Sequence, residues 1–326
     1  MNHRIALLTM SLAIFGLNGA SSAHPESVYP ERPIRLVVTS APGSGLDTVA
    51  RTISDDMGRV LKQSVVVENK AGAAGIPGTK DVLASPPNGY TLGLVSSNHA
   101  VNPSLNPSLP YDSVNGLTAI TLLGYVPVVL AVPADSPYKT LRDLVNAAGK
   151  APESINYGSS GTGSALHLAS VLLENKAGIK MMHIPYKGGS ALTSDLISGQ
   201  IDTAFLAVPT AYGQIKAGTL RALAVSTQKR LELLPDVPTL DESGVKGYEY
   251  IPWIGLIGPA GLDKAVTELL QKTIADVIQL PQMKTKFDAQ GFMPAGSTPD
   301  AFKELIKNDV ELSAELVKQA GAKSKS

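Results

Sequence analysis

Residues 39–51, TSAPGSGLDTVAR, set two glycines and a serine between the apolar run Ile34 to Val38 and a segment with helical spacing. Such a loop can cradle a phosphate, expose a nucleophilic serine or hold a smaller anion. A phosphate-binding P-loop needs GxxxxGK[ST], and no lysine stands at the required place. A dinucleotide turn needs GxGxxG, but residue 48 is Thr. A nucleophile elbow needs GxSxG, whereas Ser44 sits in PGSGL. What remains is a tight strand-to-helix loop with unpaired backbone amides at a helix start, which attract an anion. Here Asp47 reads as a helix cap. A plain βα turn is the alternative.

The device returns twice. In YGSSGTGSALHLAS (157–170), Ser159, Ser160, Thr162 and Ser164 offer hydroxyls beside backbone amides ahead of a helix. His167 follows Ser164 by three residues, without a placed acid, and reads as a helix residue that packs or caps. In HIPYKGGSALTSDL (183–196), Tyr186 and Lys187 precede another helix, the lysine being either a point charge for a carboxylate or a solvated turn residue. Histidines 3, 24, 99, 167 and 183 show no HxxxH or HExxH spacing, so no metal is expected. Trp253, the only tryptophan, reads as core or hinge packing, with ligand stacking as the alternative.

These motifs need elements to hold them. Ile34 to Thr39, Val65 to Val67, TLGLVSS, INYGSS, KMMHIPY, IDTAFLAV and LRALAVS read as strands. Asp47 to Leu61, TLRDLVNAAG, the segment after GTGS and SALTSDLISG read as helices. NKAGAAGIPG reads as a glycine-rich loop. The alternation predicts βαβ units and, in each lobe, a mainly parallel sheet flanked by helices. The last 65 residues hold about three helical segments and no clear strand. Two extended, proline-punctuated runs, 124–133 and 248–259, read as lobe crossings. The expected organisation is a discontinuous first lobe, 24–127 plus 251–326, and an inserted second lobe, 128–250, with a cleft between them.

Composition narrows the partners. The 28 basic and 28 acidic residues give a formal net charge of zero, and aromatics are 5%. Neither a basic footprint nor a stacking platform for nucleic acid is present. With no cysteine, disulfides and thiolate chemistry are excluded. Arg4, the apolar run 5–17 and small residues at Ser21 and Ala23 read as a secretory signal peptide, residues 1–23, cut after Ala23. An uncleaved anchor is the alternative. An exported chain does not depend on cytoplasmic ATP or a dinucleotide.

Many of these segments, in this order, resemble one family. YPERPIRLVV, PGSGLDTVAR, VVVENKAGAAGIPG, PPNGYTLGL, LPYDSVNGLTAITLL, INYGSSGTGSALHLAS, HIPYKGGSALTSDLISGQID, AGTLRALAVSTQKR, LPDVPTLDESG and WIGLIGPAG run along nearly the whole mature chain. They are similar to the substrate-binding proteins of tripartite tricarboxylate transporters, the Bug receptors. The resemblance implies a two-lobe, Venus-flytrap periplasmic receptor of type II-like form, a monomer. It would capture a small organic carboxylate and pass it to membrane permease subunits of a secondary transporter, with no catalysis and no cofactor. By matching motif it implies ligand contacts from Pro42, Gly43, Ser44, Gly45 and Asp47, from Ser160, Thr162, Gly163 and Ser164, and from Tyr186 and Lys187. Ala73, Ala74, Ser97 and Asn98 would flank the cleft.

Two departures bear on the ligand. The family usually has adjacent glycines where this chain has Gly43-Ser44, and a serine restricts the backbone. Phe205 is followed by Leu206-Ala207-Val208 where the family often shows a polar pair. With Leu206 and Ala207 there, the ligand's far end is expected to be apolar or aromatic. Two other readings stand beside the receptor. One is an exported serine α/β hydrolase or esterase using Ser44 or Ser160; the other is a sensor partner sharing the same cleft.

Overall fold

The computed structural model describes residues 29–322, so the leader expected at 1–23 lies outside the described residues. The chain begins with strand β1 (Ile34–Val38), helix α1 (Gly45–Leu61) and β2 (Val65–Asn69). A short turn, Ala73–Gly75, leads into α2 (Ile76–Leu83), β3 (Thr91–Ser96), α3 (Asn98–Leu105) and β4 (Leu117–Tyr125). Next come β5 (Val128–Pro133), α4 (Leu141–Lys150), β6 (Asn156–Ser159), α5 (Ala165–Ala177) and β7 (Met182–Pro185). Then follow α6 (Gly189–Ile197), β8 (Thr203–Ala207), α7 (Val208–Lys216) and β9 (Leu220–Val225). The chain closes with β10 (Trp253–Pro259), α8 (Lys264–Ile278), α9 (Pro281–Ala289), the two-residue β11 (Met293–Pro294) and α10 (Pro299–Gln319).

The strands sort into two sheets, one per lobe. The first runs β11-β4-β10-β3-β1-β2 and the second β7-β6-β8-β5-β9. Without β11, the two have the same wiring: β2-β1-β3-β10-β4 corresponds to β7-β6-β8-β5-β9. β1 and β6 hold equivalent places, each next to an edge strand and followed by a loop and a helix. The sheets are mixed rather than mainly parallel. β2-β1-β3 and β7-β6-β8 are parallel, whereas β10 and β5 run antiparallel to their neighbours. The reason is the crossing. Each of β5 and β10 arrives directly from the other lobe, with no helix to carry the chain back to the end where a parallel strand would start.

The crossings lie side by side: the Val126 amide donates to the Pro252 carbonyl at 2.7 Å. Trp253, 2% exposed, meets Phe302 edge-on, and its indole N–H donates to Asp309 Oδ2 at 2.8 Å. This is the packing reading of Trp253. The last helix departs from the expected boundary. Phe302 and Ile306 pack in the first lobe, but Leu316 and Val317 join the second-lobe core with Leu168 and Leu172. α10 therefore spans the hinge as a strap.

Local chemistry accounts for the helix starts. Ser44, Thr140, Ser164, Asp263 and Thr298 each accept an amide of the first turn, and Thr140 with Asp143 completes a capping box. On α1, Val49, Ala50, Ile53 and Met57 form the buried stripe, packed with Leu270 and Ile274 of α8.

Candidate functional site

The loop after β1 closes on itself through Asp47. Its carboxylate accepts from the Gly43 amide at 2.8 Å, from Arg51 Nε at 3.0 Å and from Asn69 Nδ2 at 2.9 Å. Arg51 above all, with the Gly43 and Asn69 donors, holds the Asp47 carboxyl down at about 2 against the opposing effect of burial. Ser44 caps α1, and its hydroxyl also meets Ser40 at 2.6 Å. Asp47 thus braces its own loop: its carboxylate is engaged there and takes up the Gly43 amide. The Gly45 and Leu46 amides donate to nothing among the described residues.

The loop after β6 repeats that geometry with neutral groups. Gly43 and Gly163 share φ +77°. Ser164 caps α5 as Ser44 caps α1. The Gly163 amide donates to His167 Nδ1 at 2.9 Å, the place Asp47 fills in the first lobe. Beneath lies a ring stack: His167 on His183 at 3.9 Å and His183 on Tyr157 at 5.0 Å. Burial pushes the His167 imidazole down to about 3, aided by neighbouring His183, and burial pushes His183 down to about 4. Both are neutral near pH 7. His183 Nε2 meets Ser159 Oγ at 2.7 Å, but Ser159 is fully buried beneath the loop.

The lobes meet above this loop. A cavity of about 230 Å³ is walled on the second-lobe side by Ser160, Gly161, Thr162, Gly163 and Ser164. Its first-lobe wall is Ala74 and the α3 residues Asn98, Val101, Asn102 and Leu105. The Ser160 and Thr162 hydroxyls and the Asn98 side chain are unpaired among the described residues. No wall residue carries a charge. The approach is close: a Cβ on Gly163, whose φ of +77° favours glycine, would lie 2.2 Å from Leu105 Cδ1 and displace that side chain.

The cavity gathers Ala74, Asn98, Ser160, Thr162, Gly163 and Ser164 from the expected set. Pro42, Gly43 and Gly45 are exposed on their loop and do not line it, nor do Ser44, Asp47, Ala73 and buried Ser97. Lys187 is exposed and makes no ion pair among the described residues. Tyr186 gives its hydroxyl to Asp195 Oδ2 at 2.9 Å, and burial pushes its own ionisation up to about 12. Leu206 is a correction. Strand alternation turns it into the second-lobe core against Leu192, Leu196 and Val208. Ala207 caps α7 beside the crossing, where the Val208 amide donates to the Pro127 carbonyl.

Val101, Asn102, Leu105 and Gly161 line the same cavity and stand outside the expected set. In this cavity the α5 start faces the side of α3 that carries Asn98, Val101, Asn102 and Leu105. The glycine-rich turn before α2 completes the wall. Gly72, Ala73, Ala74 and Gly75 all have positive φ, and a Cβ on Gly75 would crowd Thr39 at 3.0 Å. The turn is thereby tucked against the end of β1, and the Ala74 carbonyl meets α3. A larger hollow, about 590 Å³, lies between Asp112 and α10, on the other side of the first lobe's wiring from these loops.

Comparison with known proteins fixes the family. The model described as "Tripartite tricarboxylate transporter family receptor", TctC, matches residues 49–322. The chain belongs to this family. Among TctC relatives, Protein BugT of Bordetella pertussis is 33% identical over 327 residues, covering 100% of this chain and 99% of its own. The structure of periplasmic binding protein BugD is 34% identical with TM-score 0.78, covering 91% of this chain and 100% of that one. That of R. palustris Rpa4515 with adipate is 29% identical with TM-score 0.81, covering 90% and 99%. The two-lobe, mixed-sheet fold is that of these TctC-type receptors.

Proposed function

We propose that this chain is a periplasmic receptor that captures a small organic carboxylate between its lobes and delivers it to the permease subunits of a tripartite tricarboxylate-type transporter. The observation that carries this is the interlobe cavity, where the start of α5, with the Ser160 and Thr162 hydroxyls, faces one side of α3 from Asn98 to Leu105. Its residues suit an anion held by neutral groups. Hydroxyls of Ser160 and Thr162 and amides at the α5 start surround one end, where the helix dipole adds to them. Val101 and Leu105 give the opposite wall an apolar stretch, so the ligand's far end is apolar or aromatic. That reading now draws on these two side chains instead of Leu206.

The leader at 1–23 would export the chain, which acts as a monomer with hinges at 126–128 and 250–253. The hydrolase reading draws no support from the serines. Ser44 is engaged as a cap, Ser160 has no histidine partner among the described residues, and the Ser159–His183 pair is buried.

A thermal-shift screen of mono-, di- and aromatic carboxylates tests the proposal. A ligand at a hundredfold excess over its Kd stabilises the fold by about 2.7 kcal/mol. Absence of stabilisation by every acid would overturn it.

A further inference from the structure

Leu105 ends α3 in the first lobe, and its side chain crosses the cleft to rest on the loop before α5 in the second. A Cβ on Gly163 would fall 2.2 Å from Leu105 Cδ1 and 3.1 Å from both Cγ and Cδ2. The isopropyl head of Leu105 thus occupies the place a Gly163 side chain would take. At the equivalent Gly43 of the first lobe, nothing lies within 4 Å of that place. Leu105 is therefore a first-lobe side chain with its seat on the other lobe, and it stops the cavity where the two meet.

The other apolar walls leave less freedom. Val101, one turn earlier on α3, is 1% exposed and packs in the second-lobe core with Leu168 and Leu172. Shrinking it would leave a hole in that core. Ala74 is already a methyl, on a backbone held at φ 53°. Leu105 is only half-buried and packs against the edge of the core, so its size can change with little loss of fold. The space it bounds is about 230 Å³, the room of roughly eight waters at ~30 Å³ each. That admits an acid of roughly eight non-hydrogen atoms, such as hexanoate. A carboxylate at the Ser160 and Thr162 hydroxyls puts the rest of such an acid against Val101 and Leu105. We propose that Leu105 is the size filter of this receptor: seated on Gly163, it limits the length of the acid, and a smaller side chain there admits a longer one. This rests on the carboxylate reading above and assigns the residue that sets ligand size.

The test is titration calorimetry of the full exported chain with straight-chain alkanoates from acetate to decanoate. One methylene too many in a tight apolar pocket weakens binding by about tenfold or more. The unaltered protein should bind hexanoate at least about tenfold more tightly than octanoate. Leu105→Ala should move the affinity maximum to a longer chain and shift that ratio toward octanoate by about tenfold or more. Leu105→Val, a gentler change, should move it the same way by less, and melting curves confirm that both variants fold. Uniform weakening of every alkanoate with the length preference unchanged would mean that Leu105 only packs, and would overturn the proposal. So would an unaltered protein that binds octanoate as well as hexanoate. If no alkanoate binds while other acids of the wider screen do, the filter falls and the carboxylate reading stands. If no acid of either set binds, both fall together.

Discussion

Gly43 and Gly163 hold the same backbone angle, φ +77°, each one residue ahead of a helix-capping serine, in equivalent loops of opposite lobes. Their surroundings differ. A Cβ on Gly43 meets nothing within 4 Å, whereas one on Gly163 would strike Leu105 across the cleft. Either residue changed to alanine is expected to lose about 1–2 kcal/mol of stability, from the left-handed backbone alone. Only Gly163→Ala should also hold the lobes apart, weakening carboxylate binding at least tenfold, while Gly43→Ala changes it less than threefold. Denaturant unfolding and calorimetry on the two variants separate the effects.

His167 gives the fold an acid-sensitive support. Its imidazole titrates at about 3 in the fold, against about 6.5 in the unfolded chain. Between those values the unfolded chain binds the proton first. Stability is therefore fully present above pH 6.5 and falls as pH drops toward 3, by up to about 1.4 kcal/mol per pH unit. His183, lowered to about 4, acts in the same direction. His167→Asn keeps an acceptor for the Gly163 amide and cannot titrate. Its stability measured from pH 7 to 4 should fall less steeply, by close to one proton.

Asp309 acts in the opposite sense. Burial raises its carboxyl to about 6, although the Trp253 indole N–H pulls the other way. Its contribution is full below pH 4 and is lost as pH rises through about 6. Asp309→Asn keeps an oxygen for Trp253 and removes the charge. The variant should gain about 1–3 kcal/mol at pH 8 and nothing at pH 4. An equal gain at both values would show that charge burial is not the cause.

Ser160 and Thr162 separate a receptor from a hydrolase. Ser160→Ala and Thr162→Val each remove one hydrogen bond from a hydroxyl to the ligand's ionised carboxylate, about 1.5–3 kcal/mol, or roughly ten- to 150-fold in Kd. Ester turnover by the unaltered protein that vanishes in Ser160→Ala would instead favour the hydrolase.

Asp47 braces the first loop, so its loss should be felt in stability before binding. Asp47→Asn weakens the bonds from Gly43, Arg51 and Asn69 and should destabilise by about 1.5–3 kcal/mol near pH 7. The carboxyl titrates at about 2, so the difference from the unaltered protein should shrink as pH falls from about 4 toward 2.

The strands of the βαβ units, most helices and the motif order of the family were legible in the sequence alone. These are local quantities: β-branched runs, 3.6-residue stripes and Ser or Thr before a helix repeat wherever the same backbone forms. It missed α3. Pro103 stands inside that helix and removes a donor, and the His99 carbonyl accepts from Ser113 instead, so the periodic signal is weak where tertiary partners complete the structure. The runs 124–133 and 248–259 read only as extended crossings; that β5 and β10 enter the sheets as antiparallel strands depends on which lobe the chain arrives from. Which loops and helix faces share the cavity is settled by tertiary structure alone. The motif after β1 has the right residues, yet Asp47 turns that loop inward, and Asn102 reaches the site through the Ala74 carbonyl, a residue 28 positions away. Which polar groups are satisfied within the fold and which remain for a ligand depends on distances between segments remote in sequence, and no local pattern encodes those.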